Sequence, residues 1–486
     1  MEVVAVTEAR PAARTRRHAL LVCALLVVVA AVPRVLGCFT ELWLDEAWSW
    51  VSADTLDSAL GVFTQLHQSN NHHLVSLWMY ALGNAPEWAL RLPSLLAGVA
   101  SVLLAAWLAG RRDALAGVVA ATLVGACHLL VYFSSEARGY ALVTFFALAG
   151  WAALERELAT RRAAPALVFA ASVVLGFLSQ LVALFFWAAA FAWSTPRIVR
   201  ESGGAGAAAL RLVRLHLVPL LAFAALYFVD LRKLDVGMGP PFEPLRLLAS
   251  LGVFGFGLPL RPGAGAIAFG VALGVALLWA LLRLHRLRDD RWILHLVAIV
   301  LAPAAVLGAL RPDVIEVRYF VIGTTFALIL WSEPLAAGLR AGGVRRWVAA
   351  AALLAFVAGN TVQTARFLAE GRGHYAAAVR FMATETDGPR IKVGGSHDFR
   401  VSMMLRYYQR VLPADRSLVY FKLRQRPEKG TDWIVLQDEE PAGTAAATYE
   451  DRNGNAYDLA AEYGFAGIAG YHWAVYRNRG GAAADR

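Results

Sequence analysis

Eleven long apolar runs recur along this chain, near residues 18–37, 92–110, 115–133, 140–154, 164–179, 181–194, 212–229, 264–282, 292–310, 319–337 and 347–365. A helix needs about 20 apolar residues to cross the hydrocarbon core. Inside lipid every backbone N–H and C=O must find its partner within the spanning structure, so runs of this length can only be helices. The expected fold is therefore an all-α polytopic membrane domain of about eleven spans. The runs at 140–154 and 181–194 are short, which makes the middle of the series the least regular part. Composition points the same way. Of the 486 residues, 58% are hydrophobic and 17% are charged, against roughly 25% charged in soluble domains.

The net charge of +10 suggests nucleic acid as one partner. The arginines argue otherwise, because they lie in short clusters between apolar runs rather than on one basic domain. With an inside N-terminus, the inner segments hold twenty Arg or Lys residues and the outer loops eight: Arg91, Arg138, Arg232, Lys233, Arg246, Arg261, Arg311 and Arg318. That bias sets the orientation. An odd number of spans then places the chain after about residue 366 outside. The first run follows a basic segment but meets Pro33, Arg34 and Cys38 rather than a small-residue cleavage site, so it reads as a retained span. Cys23, Cys38 and Cys127 lie in or beside apolar runs, a pattern that gives neither a disulfide framework nor a zinc site.

Three domains are expected: a basic cytoplasmic N-terminus (1–17), a transmembrane domain (18–365) and a small extracytoplasmic α/β domain (366–486). In the last, "HYAAAVRFMATE" reads as an amphipathic helix, and "RIKVGG", "SLVYF", "DWIVLQ" and "HWAVYR" read as strands. No glycine-rich phosphate motif appears there. Two outer loops are long, at about 38–91 and 230–263. The first contains "LVSLWMYALG", which reads as an interfacial helix, and the second contains the breaker "GPPFEP".

Four polar elements fall on the outer side of this topology. The first is "ELWLDEAWSW", with Asp45 beside Glu46. Adjacent side chains diverge by about 100° on a helix and about 180° on a strand, so two roles are expected. One carboxylate can accept a proton from an attacking hydroxyl, and its neighbour can position a substrate or bind a cation. The alternative is a pair of solvated acids beside an aromatic belt of Trp43, Trp48 and Trp50. The second element is "HQSNNHHLVSLW", where Asn70, Asn71, His72 and His73 suit a helix cap plus substrate contact better than a metal site, since zinc helices space histidines at i, i+4. The third is "YFSSEARGYAL": Glu136 and Tyr140 would share a helix face, and Arg138 is a planar fork suited to phosphate. The alternative for Arg138 is a snorkelling anchor. The fourth is "RPDVIEVRYF", with Glu316, Arg318 and Tyr319. Asp230, Arg232, Lys233 and Glu243 come from the long loop. Ionisable groups near membrane depth are functional candidates. Their agreement on one face describes a wet pocket over an apolar groove, where a lipid-linked phosphate could sit.

With "LDEAWSW", "SEARGYAL" and "VRYF" in this order, the chain resembles the GT-C superfamily of polytopic glycosyltransferases, in particular the protein O-mannosyltransferase and aminoarabinose-transferase group. The resemblance covers most of residues 18–365. It implies transfer of a monosaccharide from a polyprenyl-phosphate donor to a glycan, lipid or protein acceptor of the envelope, with inversion, in a multi-pass plasma (inner) membrane protein. It implies Asp45 as general base with Glu46 as partner. Arg138 and Arg318 would hold the lipid phosphate, with Glu136, Tyr140, Tyr319, Asn71, His72 and His73 around the substrate. Where relatives carry a proline-rich stretch, this chain has "NNHHLVSLW", which makes His73 a candidate substrate ligand. No cofactor is expected, and the sequence leaves the part of a divalent cation open. Two other readings remain: a transporter or flippase of lipid-linked sugars, and a non-catalytic polysaccharide assembly protein. Internal repeats and broken helices, common in transporters, are not apparent in the sequence.

Overall fold

The computed structural model describes residues 2–234, 242–310, 315–439 and 445–480, with side chains from residue 18 onward. The apolar runs all become helices. Among the described residues, seven helices are long and apolar enough to cross a membrane, or eight when one bent pair is counted as a single span. The remaining three runs form the helices Tyr140–Thr160, Ala163–Ser179 and Ala183–Glu201. They are helical as expected, but the count of eleven spans is not reached by length and apolarity.

The bent pair is a difference from the sequence reading. Helix Ala114–Ala126 stops at Cys127, and His128–Ser134 resumes at an angle of 63°. The broken helix that the sequence does not reveal is therefore present. Both halves are apolar, so no composition change marks the joint. His128 makes the joint polar: its backbone N–H donates to Asn360 Oδ1 at 2.7 Å, and its Nδ1 lies 3.1 Å from Thr364 Oγ1.

The chain divides into two compact units. The first holds the residues up to Cys38, Phe63–Val75 and Arg91–Thr364. Small residues let its helices approach closely: a Cβ on Gly117 would lie 2.7 Å from the carbonyl oxygen of Ala106 and 2.8 Å from the Cα of Gly110. Asp113 starts the helix Ala114–Ala126 by accepting from the Leu115 N–H at 3.0 Å, the usual duty of an N-cap carboxylate. Arg34, fully buried, ties the first helix to this one by donating to the carbonyls of Val124 and Gly125.

The second unit gathers Phe39–Val62, Ser76–Leu90 and the described residues from Ala365 on. Chain order alone does not express this grouping. Its sheet has six strands: β1 (Arg390–Gly395), β2 (Ser417–Tyr420), β3 (Trp433–Asp438), β4 (Thr448–Glu450), β5 (Ala456–Tyr463) and β6 (His472–Asn478). Their order is β2-β1-β3-β6-β5-β4. β1 runs parallel to β2 and β3, and the other pairings are antiparallel. The four expected strands are β1, β2, β3 and β6, and the amphipathic helix is Tyr375–Thr384. Strands β4 and β5 and the helix Asp398–Tyr408 were not expected. Helix Leu44–Asp54 packs on Asp398–Tyr408 through Trp48, whose ring meets Phe399 edge-on at 4.9 Å. The Tyr408 hydroxyl donates to the Leu42 carbonyl at 2.7 Å.

Candidate functional site

In the first unit Asn70 and His72 converge on Arg138. The stretch Ser135–Gly139 is a turn between the helices His128–Ser134 and Tyr140–Thr160. Glu136 and Tyr140 consequently do not share a helix face, contrary to the sequence expectation, because the helix breaks between them. Gly139 is required there: a Cβ would sit 1.8 Å from the Ser179 carbonyl oxygen. The turn buries Arg138 to 3% exposure and Glu136 completely. The Arg138 carbonyl accepts from Ser94 Oγ at 2.9 Å, which fixes the backbone that carries the guanidinium.

Two side chains from the 67–73 segment hold that guanidinium. Arg138 Nη2 donates to Asn70 Oδ1 at 2.8 Å, and Nε donates to His72 Nε2 at 3.1 Å. An arginine can only donate, so His72 Nε2 must carry the lone pair and Nδ1 the proton. The ring obeys this on its other side, where Nδ1 lies 2.9 Å from the Ser179 carbonyl, an acceptor. Burial pushes the His72 imidazole well below its ordinary value, and the Arg138 charge adds to the effect, as does the Arg318 charge more weakly. His72 is thus neutral with both nitrogens engaged, which removes it as a proton acceptor for a substrate. Asn70 and His72 are both uncharged. Glu136 Oε1 forms an ion pair with Nη1 at 4.0 Å, beyond hydrogen-bond range. The Tyr140 ring lies under the guanidinium at 5.0 Å, and Gln180 Nε2 donates to the Tyr140 hydroxyl at 3.3 Å.

His73 turns the other way. Its Nε2 donates to Asp230 Oδ2 at 2.8 Å, while His67 Nδ1 donates to Oδ1 of the same carboxylate at 2.6 Å. Asn71 closes the turn by donating to the Leu66 carbonyl at 2.9 Å. Arg318 donates to Glu316 Oε1 at 2.7 Å and lies 5.8 Å from the Tyr319 ring. Arg311 lies outside the described residues.

Asp45 and Glu46 belong to the second unit. They open the helix Leu44–Asp54, where two acids complement the positive end of the dipole. The side chains diverge. Asp45 is half-buried, and Glu46 is fully buried. Glu46 Oε2 accepts from the Trp43 N–H at 3.4 Å and stands 4.0 Å from Arg372 Nε, itself fully buried. Arg372 Nη1 donates to Thr40 Oγ1 at 2.6 Å. The alternative of two solvated acids beside a tryptophan belt does not hold for Glu46. Nor does it hold for Trp43, which is buried, or for Trp50, whose Nε1–H donates to the Gly83 carbonyl at 2.8 Å. Arg372 was missed by the sequence reading. Its only signal is a charge just past the last apolar run, and its partner is more than three hundred residues earlier. The pairing of His67 and His73 through Asp230 was missed for the same reason.

No protein-family model matches the chain, and no curated protein does. Among solved structures it is similar to apo ArnT from Cupriavidus metallidurans, at 13% identity over 95% of this chain and 99% of that one, with a TM-score of 0.53. The chain has the GT-C fold. At this identity the likeness is one of fold. Two further GT-C-fold matches are weaker. One is ArnT from the same organism bound to undecaprenyl phosphate, at 13% identity, 96% and 99% coverage and TM-score 0.49. The other is the oligosaccharyltransferase AglB from Archaeoglobus fulgidus with an inhibitory peptide and a dolichol-phosphate, at 11% identity, 85% and 69% coverage and TM-score 0.49. The GT-C expectation for the fold is met, with a helical membrane part and a small C-terminal sheet.

Proposed function

We propose that the protein is a membrane glycosyltransferase that moves a monosaccharide from a polyprenyl-phosphate donor to an envelope glycan, lipid or protein on the outer face of the plasma membrane. The observation that carries this reading is the buried Arg138, oriented by Asn70 and His72 with Glu136 beside it. A guanidinium held in one orientation has a planar fork that matches phosphate oxygens. The GT-C fold and the Arg/Lys bias of the sequence support the membrane setting and the orientation.

In this reading Arg138, with Arg318, holds the phosphate of the lipid donor. Tyr140, Glu136, Asn71 and His72 shape the surroundings, and Tyr319 flanks Arg318. Transfer breaks the bond between the anomeric carbon and the phosphate oxygen. The electron pair stays on the phosphate, where Arg138 stabilises the developing charge. The acceptor oxygen attacks the opposite face, which gives inversion, and its proton passes to Asp45. Half-burial lets Asp45 reach a substrate, whereas Glu46 is committed to Trp43 and the vicinity of Arg372 and has a positioning role. These steps use the chain's own residues.

The break at Cys127 favours a second reading, transport of a lipid-linked sugar, because broken helices are a feature of transporters. One experiment separates the two: purified protein in vesicles is given a radiolabelled polyprenyl-phosphate sugar and an envelope extract. Label in a new product supports transfer, and label moved across the bilayer without a product supports transport. Asp45→Asn is expected to lower transfer by 10²–10⁴-fold with donor affinity unchanged. Retention of more than about a tenth of the activity assigns the proton elsewhere.

A further inference from the structure

We propose that Asp230 is a positioning residue for the donor phosphate: through His67 and His73 it fixes the turn that supplies Asn70 and His72 to Arg138. This deepens the function proposed above and rests on Arg138 being the phosphate ligand.

The geometry is specific. Residues 67–73 present two faces. Asn70 and His72 reach Arg138, and His67 and His73 reach Asp230. Asp230 follows the helix Ala205–Val229 and is fully buried, so its carboxylate is well placed to need partners. It has one imidazole N–H on each oxygen, at 2.6 and 2.8 Å. A carboxylate with both oxygens engaged cannot rotate without losing both bonds. The Phe63 ring stacks on His73 at 5.1 Å and limits its rotation. The turn between the two histidines is closed by the Asn71 side chain on Leu66 and by the Asn71 N–H donating to the Gln68 carbonyl at 2.9 Å. A rigid turn clamped at positions 67 and 73 leaves Asn70 and His72 little freedom. Arg138 then meets its ligand already oriented, which lowers the ordering cost of binding.

The amide of Asp230→Asn preserves shape but can accept only one of the two imidazole protons. Donor KM for a polyprenyl-phosphate sugar is expected to rise about tenfold, the value of one charged hydrogen bond, while kcat changes less than twofold. Asp230→Glu, which restores both acceptors on a longer arm, is expected to recover part of that loss. In an Arg138→Ala background, Asp230→Asn is expected to add little, because both act on one contact. A fall in kcat at unchanged KM, or full additivity with Arg138→Ala, overturns the proposal. So does a lower yield of protein whose KM is that of the wild type.

A second readout does not depend on transfer. With ¹⁵N-labelled histidine, the Nδ1–H tautomer of His72 is read directly and assigned with His72→Gln. Asp230→Asn is expected to mix the tautomers, and an unchanged His72 signal overturns the clamp. If the wild type shows this clamp but neither binds nor turns over a polyprenyl-phosphate sugar, the proposed function fails, and with it the donor-positioning role built on it.

Discussion

Opposite ends of the same helices treat arginine differently in the first unit. Where helix Tyr140–Thr160 begins, Arg138 bonds to Asn70 and His72, both neutral. Where that helix ends, carboxylates take over. Glu157, fully buried, accepts from Arg211 at 3.1 Å and from Arg214 at 2.8 Å. Arg111 donates to Glu155 at 2.6 Å, and Arg291 donates to Glu333 at 2.9 Å. Arg340 pairs with Asp113, and Arg112 with Asp289. Ion pairing holds Asp289 down at about 2; burial opposes this, but the Arg291 bonds and the Arg112 charge prevail. At that end arginine charge is neutralised and joins helices. At the Arg138 end two neutral side chains orient the arginine, and the Glu136 carboxylate stands 4.0 Å from it. The difference separates an end where carboxylates bond arginines directly from one where neutral side chains set an arginine's orientation.

Arg138→Ala is the strongest challenge to that contrast. We expect transfer to fall about 10²-fold, the usual effect of removing one preorganised donor to developing charge. Arg138→Lys should recover only part, since an ammonium lacks the fork. Wild-type rates in both variants would make Arg138 an anchor and erase the distinction between the ends.

Glu157→Gln probes the other end. It leaves the part-exposed Arg214, and Arg211 with its remaining partner Glu201, beside a neutral amide, for a stability loss of about 2 kcal/mol. Thermal unfolding in detergent should register the change, while transfer per folded molecule stays within twofold. A selective loss of catalysis would show that both ends serve the ligand.

How much of this was legible in the sequence depended on distance along the chain. The apolar runs are local, and each became a helix. Arg138, His72 and Glu136 stood out because polar groups near membrane depth are costly without a purpose. Their pairings did not, since Arg138 and Asn70 are bonded across 68 positions. The bend at Cys127 was silent because apolarity continues through it. The divergence of Asp45 and Glu46 followed from adjacency, whereas Arg372 could be found only in three dimensions.

A milder effect sharpens the neutral side of the contrast. His72 is held below its ordinary value by burial first and Arg138 second. Below about pH 6.5 the unfolded chain binds a proton that the folded ring refuses, so stability falls as the pH drops from there. His72→Gln should flatten that part of the stability profile between pH 7 and 5. A profile as steep as the wild type's would mean that His72 titrates normally and that Arg138 faces a charged partner.

The smallest effect is expected from Arg340→Ala. Its side chain is 55% exposed, and exposed pairs contribute about 1 kcal/mol or less. The change should shrink further at high salt. A large, salt-independent loss would place this pair with Glu157 instead.

The composition of the second unit has a consequence for biogenesis. Residues 39–62 and 76–90 leave the ribosome before the whole of 91–364, yet part of what they pack on begins at 365. The Leu42 carbonyl waits for the Tyr408 hydroxyl, and Trp48 waits for Phe399. Domains generally fold as units during synthesis, in chain order. Here these contacts of the early segments must wait while helix after helix is inserted. Aromatic surface exposed for so long is prone to wrong association, so a nascent chain halted near residue 364 should expose the stretch around Trp48 to protease, and the finished chain should protect it.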